Sequence, residues 1–126
     1  MTAQVDLLRA RVQSVAIEVT AKCNLRCSYC HKADSVLEAM PGANDDMSDE
    51  MIATLYRYCK EAGIRTVALS LGGETTMHDG WQHRIAQFLD DPEMETFMVS
   101  NFARVLTDDD LEALIKIRSL QISFDS

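Results

Sequence analysis

Three cysteines crowd into eight residues: Cys23, Cys27 and Cys30 stand in the run CNLRCSYC, spaced C-x3-C-x2-C. Thiolates are soft metal ligands, and three this close in sequence can wrap one metal centre without long-range folding. A four-iron cluster normally takes four cysteines, so three would leave one iron open to a substrate or cofactor. Two other chemistries fit the same residues. Cys27-Ser28-Tyr29-Cys30-His31 is also C-x-x-C-H, the attachment motif of a c-type haem, which would make the chain an electron carrier. With His31 as a fourth ligand, the set could instead fill the tetrahedral shell of a structural zinc, a binding module without catalysis. Further along stands Gly72-Gly73-Glu74. Two glycines let a backbone approach a ligand closely, and a carboxylate beside them can hold a cation. The remaining cysteine, Cys59, falls on an apolar helical stripe and is expected in the core as a small hydrophobe.

The elements that must position these groups alternate along the chain. Val15 to Thr20 (VAIEVT) reads as a strand rich in β-branched residues and runs straight into the cysteine loop. Residues 31–47 are irregular, broken by Pro41-Gly42, with weak helical character around Ser35 to Met40. Ser48 is placed to cap a helix whose first turn holds Asp49 and Glu50. Ile52, Leu55, Tyr56 and Cys59 form its stripe, and Gly63 ends it. Val67 to Leu71 is a second strand, ending at the Gly-Gly-Glu run. Trp81, Ile85, Phe88 and Leu89 mark a second helix, and Phe97 to Ser100 a third strand. Thr107 with Asp110 makes a capping box for a third helix, whose buried face is expected to be Leu111, Leu114 and Ile115. Leu120 to Phe124 is a fourth strand. Such alternation implies an α/β fold of parallel βα units joined by right-handed crossovers. Residues 1–14 are expected to form a helical extension, and 15–126 the core.

Strand parity adds the shape. Val15, Ile17, Val19, Val67, Leu69 and Leu71 are bulky and apolar, whereas Ala16, Glu18, Thr20, Ala68, Ser70 and Gly72 are small or polar. Leu120, Ile122 and Phe124 oppose Gln121, Ser123 and Asp125 in the same way. Side chains alternate faces along a strand, so one face packs on helices and the other lines something polar or close-fitting. A doubly wound sheet would bury both faces in apolar residues. One polar face points to a curved, barrel-like sheet around a site, with Glu74 continuing the inward series.

Composition narrows the partners. The 126 residues, 47% hydrophobic and 25% charged, describe one ordinary globular domain. Twelve basic against 20 acidic side chains give a net charge of −8, which repels phosphate backbones and disfavours nucleic acid. No apolar stretch approaches the roughly 20 residues of a spanning helix. Asp6, Arg9 and Arg11 interrupt any signal-peptide core, so the chain is expected in the cytoplasm, where thiols stay reduced and cysteines serve better as ligands than as disulfides.

Taken together, the motifs resemble the radical S-adenosylmethionine (SAM) superfamily, whose pattern is C-x3-C-x-aromatic-C after the first barrel strand. Tyr29 fills the aromatic position, Gly72-Gly73-Glu74 matches the family's Gly-Gly-Glu, and the EVT and SFDS segments are also similar. A zinc or haem reading leaves the Gly-Gly-Glu run unexplained, and haem attachment would require export. The resemblance implies six βα units in a partial TIM-like barrel, of which this chain supplies four. A protein continuing beyond Ser126 is therefore expected, since an apolar strand left at a sheet edge invites aggregation. It further implies a [4Fe-4S] cluster on Cys23, Cys27 and Cys30, whose open iron chelates SAM. Reductive cleavage then gives a 5′-deoxyadenosyl radical that takes hydrogen from an unidentified substrate, the electron coming from a flavodoxin or ferredoxin. Glu74 would pair with the SAM ammonium, Gly72 and Gly73 would admit the ligand, and Tyr29 would pack near adenine. Ser100, Asn101, Ser123 and Asp125, at strand ends, would contact ribose, carboxylate or substrate. Thr75 stands where the family often has Pro, and Ser100-Asn101-Phe102 where many members have Thr-Asn-Gly. Lys22, Asn24 and Arg26 alternate with the ligands, either balancing an anionic cluster or lying in solvent.

Overall fold

In the computed structural model, which describes residues 12–23 and 45–123 together with Gln4, four strands run parallel in one sheet. They are β1 (Ser14–Ala16), β2 (Thr66–Ala68), β3 (Glu95–Ser100) and β4 (Ser119–Ile122), each paired with the next in chain order. Parallel neighbours need crossovers, and helices supply them. This is the α/β winding expected from the alternation. Pairing extends past the short ladders: Ile17 N–H donates to the Ala68 carbonyl and Leu69 N–H to that of Phe97, both at 2.8 Å. Strand one does not continue in the sheet to Thr20 as the β-branched run suggests. Thr20 instead forms an isolated antiparallel bridge with Asp46, because the chain turns there to meet the segment that leads into the first helix.

Helix α1 (Asp49–Ala62) follows its sequence signals. The Ser48 hydroxyl accepts the Met51 N–H, and Gly63, left-handed at φ +72°, closes the carboxyl end. Ile52, Cys59 and Ala62 are buried, and burial pushes the Cys59 thiol up, as for an inert core cysteine. The second helix is split at Ile85 into α2 (Trp81–Arg84) and α3 (Ala86–Leu89), yet Trp81, Ile85 and Phe88 remain fully buried as the stripe requires. Phe88 meets Tyr56 of α1 edge-to-face with ring centroids 5.3 Å apart.

Helix α4 (Asp108–Leu114) carries the capping box but turns a different face inward. Leu111 and Ile115 are 47% and 82% exposed, whereas Asp110, Ala113, Leu114 and Ile117 are buried. The reason is Asp110. Its carboxylate accepts hydrogen bonds from Thr107 N–H, the Trp81 indole and Arg104, which fix the helix rotation and make the i, i+3, i+4, i+7 face of Asp110 the inner one.

Parity holds on the helix-facing side, where Ile17, Val19, Val67, Leu69 and Met98 are buried. Leu71 departs from it, 66% exposed where the chain turns away past β2. The other face has Ala16, Glu18, Ala68 and Ser70 as expected, but register places Phe97 there as well, opposite Ala68. That face is therefore not uniformly small and polar. Ser14 belongs to β1, Val12 and Gln13 precede it outside any helix, and the rest of the expected extension, Gln4 apart, lies outside the described residues, as does Phe124.

Candidate functional site

Parallel strands bring their carboxyl ends to one edge, and the chemistry-bearing residues follow those ends. Past β1 comes Cys23, past β2 Gly72 to Glu74, at the end of β3 Ser100 and Asn101, and past β4 Ser123. The structure joins four of them directly. Glu74 is 3% exposed, and its Oε1 accepts hydrogen bonds from the Ser100 and Thr76 hydroxyls, each at 2.8 Å. Its Oε2 accepts the Asn101 N–H, also at 2.8 Å. The Asn101 amide Nδ2 lies 3.8 Å from Cys23 Sγ, a donor aimed at a thiol sulfur. Cys23 itself is half-buried at the rim of this network. Ser123 contributes its backbone, donating to the Ser100 carbonyl at 2.9 Å.

The two glycines do more for the protein than for a ligand. A Cβ on Gly73 would stand 2.2 Å from the Thr20 carbonyl oxygen and 2.7 Å from that of Lys22. Only glycine lets the β2 turn press against the chain that enters the cysteine loop. The neighbouring Glu74 N–H donates to the Lys22 carbonyl at 2.7 Å, and Gly72 N–H donates to Glu18 Oε1 at 2.9 Å. Within the protein, then, Gly73 faces backbone and the Gly72 amide is held by Glu18.

Both departures from the family pattern have a local account. Thr75 is buried, and its hydroxyl donates to the Leu69 carbonyl at 2.6 Å, tying the turn by a hydrogen bond where proline would fix φ. Phe102 has φ +50°, the left-handed region that glycine adopts freely. The strain, about 1 kcal/mol, is offset by Phe102 N–H on Ser100 Oγ and Ala103 N–H on Asn101 Oδ1. Cys27, Cys30, Tyr29 and Asp125, with Asn24, Arg26 and His31, lie outside the described residues. Sequence reasoning passed over Glu18, Thr76 and Asp46. Glu18 stood in the polar parity set as a signal, whereas nothing in the sequence joins Asp46 to the end of β1.

Compared with known proteins, the chain matches the family model of the radical SAM superfamily over residues 17–126. The chain belongs to the radical SAM superfamily. Members of this superfamily work with a [4Fe-4S] cluster and SAM, and a half-buried cysteine sulfur joined through Asn101 to a buried carboxylate fits a sulfur-ligated cluster with a cationic ligand next to it. One relative is a "Probable GTP 3′,8-cyclase" of Archaeoglobus fulgidus, 44% identical over 63 residues, 50% of this chain and 19% of that protein. Another is "Molybdenum cofactor biosynthesis protein 1" of Drosophila melanogaster, 35% identical over 91 residues, 72% of this chain and 16% of that protein. The radical SAM chain thus spans less than a fifth of either. Among solved structures, BtrN in complex with AdoMet and 2-DOIA superposes with a TM-score of 0.75 at 17% identity, over 90% of this chain and 46% of that one. Streptococcus suis SuiB bound to S-adenosylmethionine gives 0.63 at 20%, over 86% and 23%. At such identities the likeness is one of fold: the parallel βα partial barrel.

Proposed function

We propose that this chain forms the cluster- and SAM-binding part of a radical SAM enzyme. Cys23, Cys27 and Cys30 would hold the [4Fe-4S] cluster, and Glu74 the ammonium of SAM. The observation that carries the reading is the state of the Glu74 carboxylate. A carboxylate has about four acceptor positions, of which the described residues fill three, all with neutral donors. The position left belongs to Oε2, and among the described residues no cation pairs with it. A buried anion supplied only with neutral donors is suited to take one charged N–H from a ligand.

When bound, the cluster supplies the electron that splits SAM into methionine and a 5′-deoxyadenosyl radical. The protein's own residues prepare that event. Ser100, Thr76 and the Asn101 amide fix the Glu74 oxygens before a ligand arrives, so little reorganisation is needed. Asn101 Nδ2 donates toward the Cys23 sulfur, and such donors help set a cluster's reduction potential. Tyr29 near adenine, and Ser123 and Asp125 toward ribose or substrate, complete the assignment. Among the described residues no helix is long and apolar enough to cross a membrane. We place the protein in the cytoplasm, with a flavodoxin or ferredoxin as electron donor.

The test is anaerobic incubation of the reconstituted protein with SAM and a strong reductant, followed by assay for 5′-deoxyadenosine. Formation dependent on Cys23 is expected, and its absence from a protein carrying a full cluster would overturn the reading. The names of the curated relatives favour GTP as the first substrate to offer. Stimulation of 5′-deoxyadenosine formation by GTP, with hydrogen transfer from it, would support that second reading. Indifference to GTP would remove it and leave the first intact.

A further inference from the structure

The chain that leads to Cys23 runs antiparallel to residues 45–47. Ala21 N–H donates to the Asp45 carbonyl and Met47 N–H to that of Val19, both at 2.8 Å, around the antiparallel bridge of Thr20 with Asp46. The Asp46 side chain adds a second layer. Its Oδ1 accepts the Thr20 hydroxyl at 2.5 Å, and its Oδ2 pairs with Lys22 Nζ at 2.9 Å. Thr20 Oγ1 in turn accepts the Lys22 N–H at 3.1 Å. From the other side, Glu74 N–H grips the Lys22 carbonyl and Gly73 leaves no space behind it. Lys22 is thus held through its amide, carbonyl and ammonium, and Cys23 is the next residue.

We propose that Asp46 is a positioning residue for the cluster: through Thr20 and Lys22 it fixes the backbone that presents Cys23. The inference rests on the cluster reading above. Asp46 is not needed for the neighbouring helix, which is capped by Ser48. Nor does the core require it, since its side chain is 31% exposed. An ion pair this exposed contributes little to global stability. Its value is local: with the backbone at Cys23 fixed beforehand, less conformational entropy is lost when its thiolate is presented to a metal centre.

The test uses the whole protein with its cluster reconstituted anaerobically, comparing wild type, Asp46→Asn, Asp46→Ala and Lys116→Ala. Lys116 pairs with Asp90 in a bridge still more exposed than that of Lys22 with Asp46. The readout is the rate at which the cluster's visible absorption is lost to an iron chelator, well below every unfolding midpoint. Asp46→Ala is expected to lose its cluster about tenfold faster, as when a metal ligand's outer partner is removed. Asp46→Asn should fall between it and wild type, because the amide oxygen still accepts from Thr20, and Lys116→Ala should match wild type. If Asp46→Ala fails to fold, Asp46→Asn alone carries the comparison. Cluster loss at the wild-type rate in both Asp46 variants would overturn the proposal. A wild-type protein that takes up no iron and sulfide would instead overturn the cluster reading, and this inference with it.

Discussion

Two buried carboxylates make opposite use of similar surroundings. Asp110, fully buried at the start of α4, accepts from the Trp81 indole, the Gln82 amide, the Thr107 N–H and the Arg104 guanidinium. Burial raises its pKa, yet the bonds from Thr107 and Trp81 and the charge of Arg104 outweigh it and hold the carboxyl below its ordinary value. Glu74, at the carboxyl ends of the strands, is almost as buried but receives, among the described residues, two hydroxyls and one backbone N–H. One carboxylate is closed by a protein cation; for the other, the proposed cation arrives with SAM. A structural carboxylate and a binding carboxylate therefore differ less in burial than in whether the chain supplies the counter-charge.

Substitutions can break or sharpen this contrast. Asp110→Ala strands the Arg104 guanidinium and the Trp81 indole, and should lower unfolding free energy by about 3 kcal/mol in denaturant titration while leaving SAM affinity within about twofold. Gly73→Ala forces a Cβ onto the Thr20 carbonyl. A cost of about 2 kcal/mol is expected, as for overpacking, together with loss of most cluster on reconstitution, measured as iron and sulfide per chain. Asn101→Leu removes the donor facing Cys23 Sγ, and its cluster should titrate at a more negative potential with the unfolding midpoint little changed.

The smallest effect is expected near the other ends of the strands. Asp91, just before β3, is held at about 2 by Lys60, then by the Tyr56 hydroxyl and the Glu93 N–H. Its folded value lies below the ordinary 3.8, so its contribution is complete above pH 4 and drains away as pH falls toward 2. Asp91→Asn should therefore melt slightly below wild type at pH 6, with the gap closing near pH 2. A constant gap across thermal melts in that range would remove the ion pair from the account.

How far the sequence could be read follows from the same physics. Signals that act within a few residues were legible: the Ser48 and Thr107 caps, Gly63 as a helix stop, and the period-two contrast of β1 and β2. The Gly-Gly-Glu run pointed to the right edge of the sheet, and Glu74, Ser100 and Asn101 do meet there. Long-range polar pairing was not legible. A stripe of apolar residues assigns α4 to Leu111 and Ile115, because nothing local tells that Asp110 will find an indole and a guanidinium far from it and rotate the helix inward. In the same way, nothing local tells that the Thr20 carbonyl will press against Gly73. Asp46 reads as one more surface acid until its bonds to Thr20 and Lys22 are seen.

The account turns on the unfilled acceptor position of Glu74, and the direct measurement is the SAM dissociation constant of Glu74→Gln against wild type at matched cluster content. Loss of one charged hydrogen bond should weaken SAM by about ten- to a hundredfold, while the unfolding midpoint moves only slightly. Wild-type affinity in a Glu74→Gln protein carrying a full cluster would contradict it.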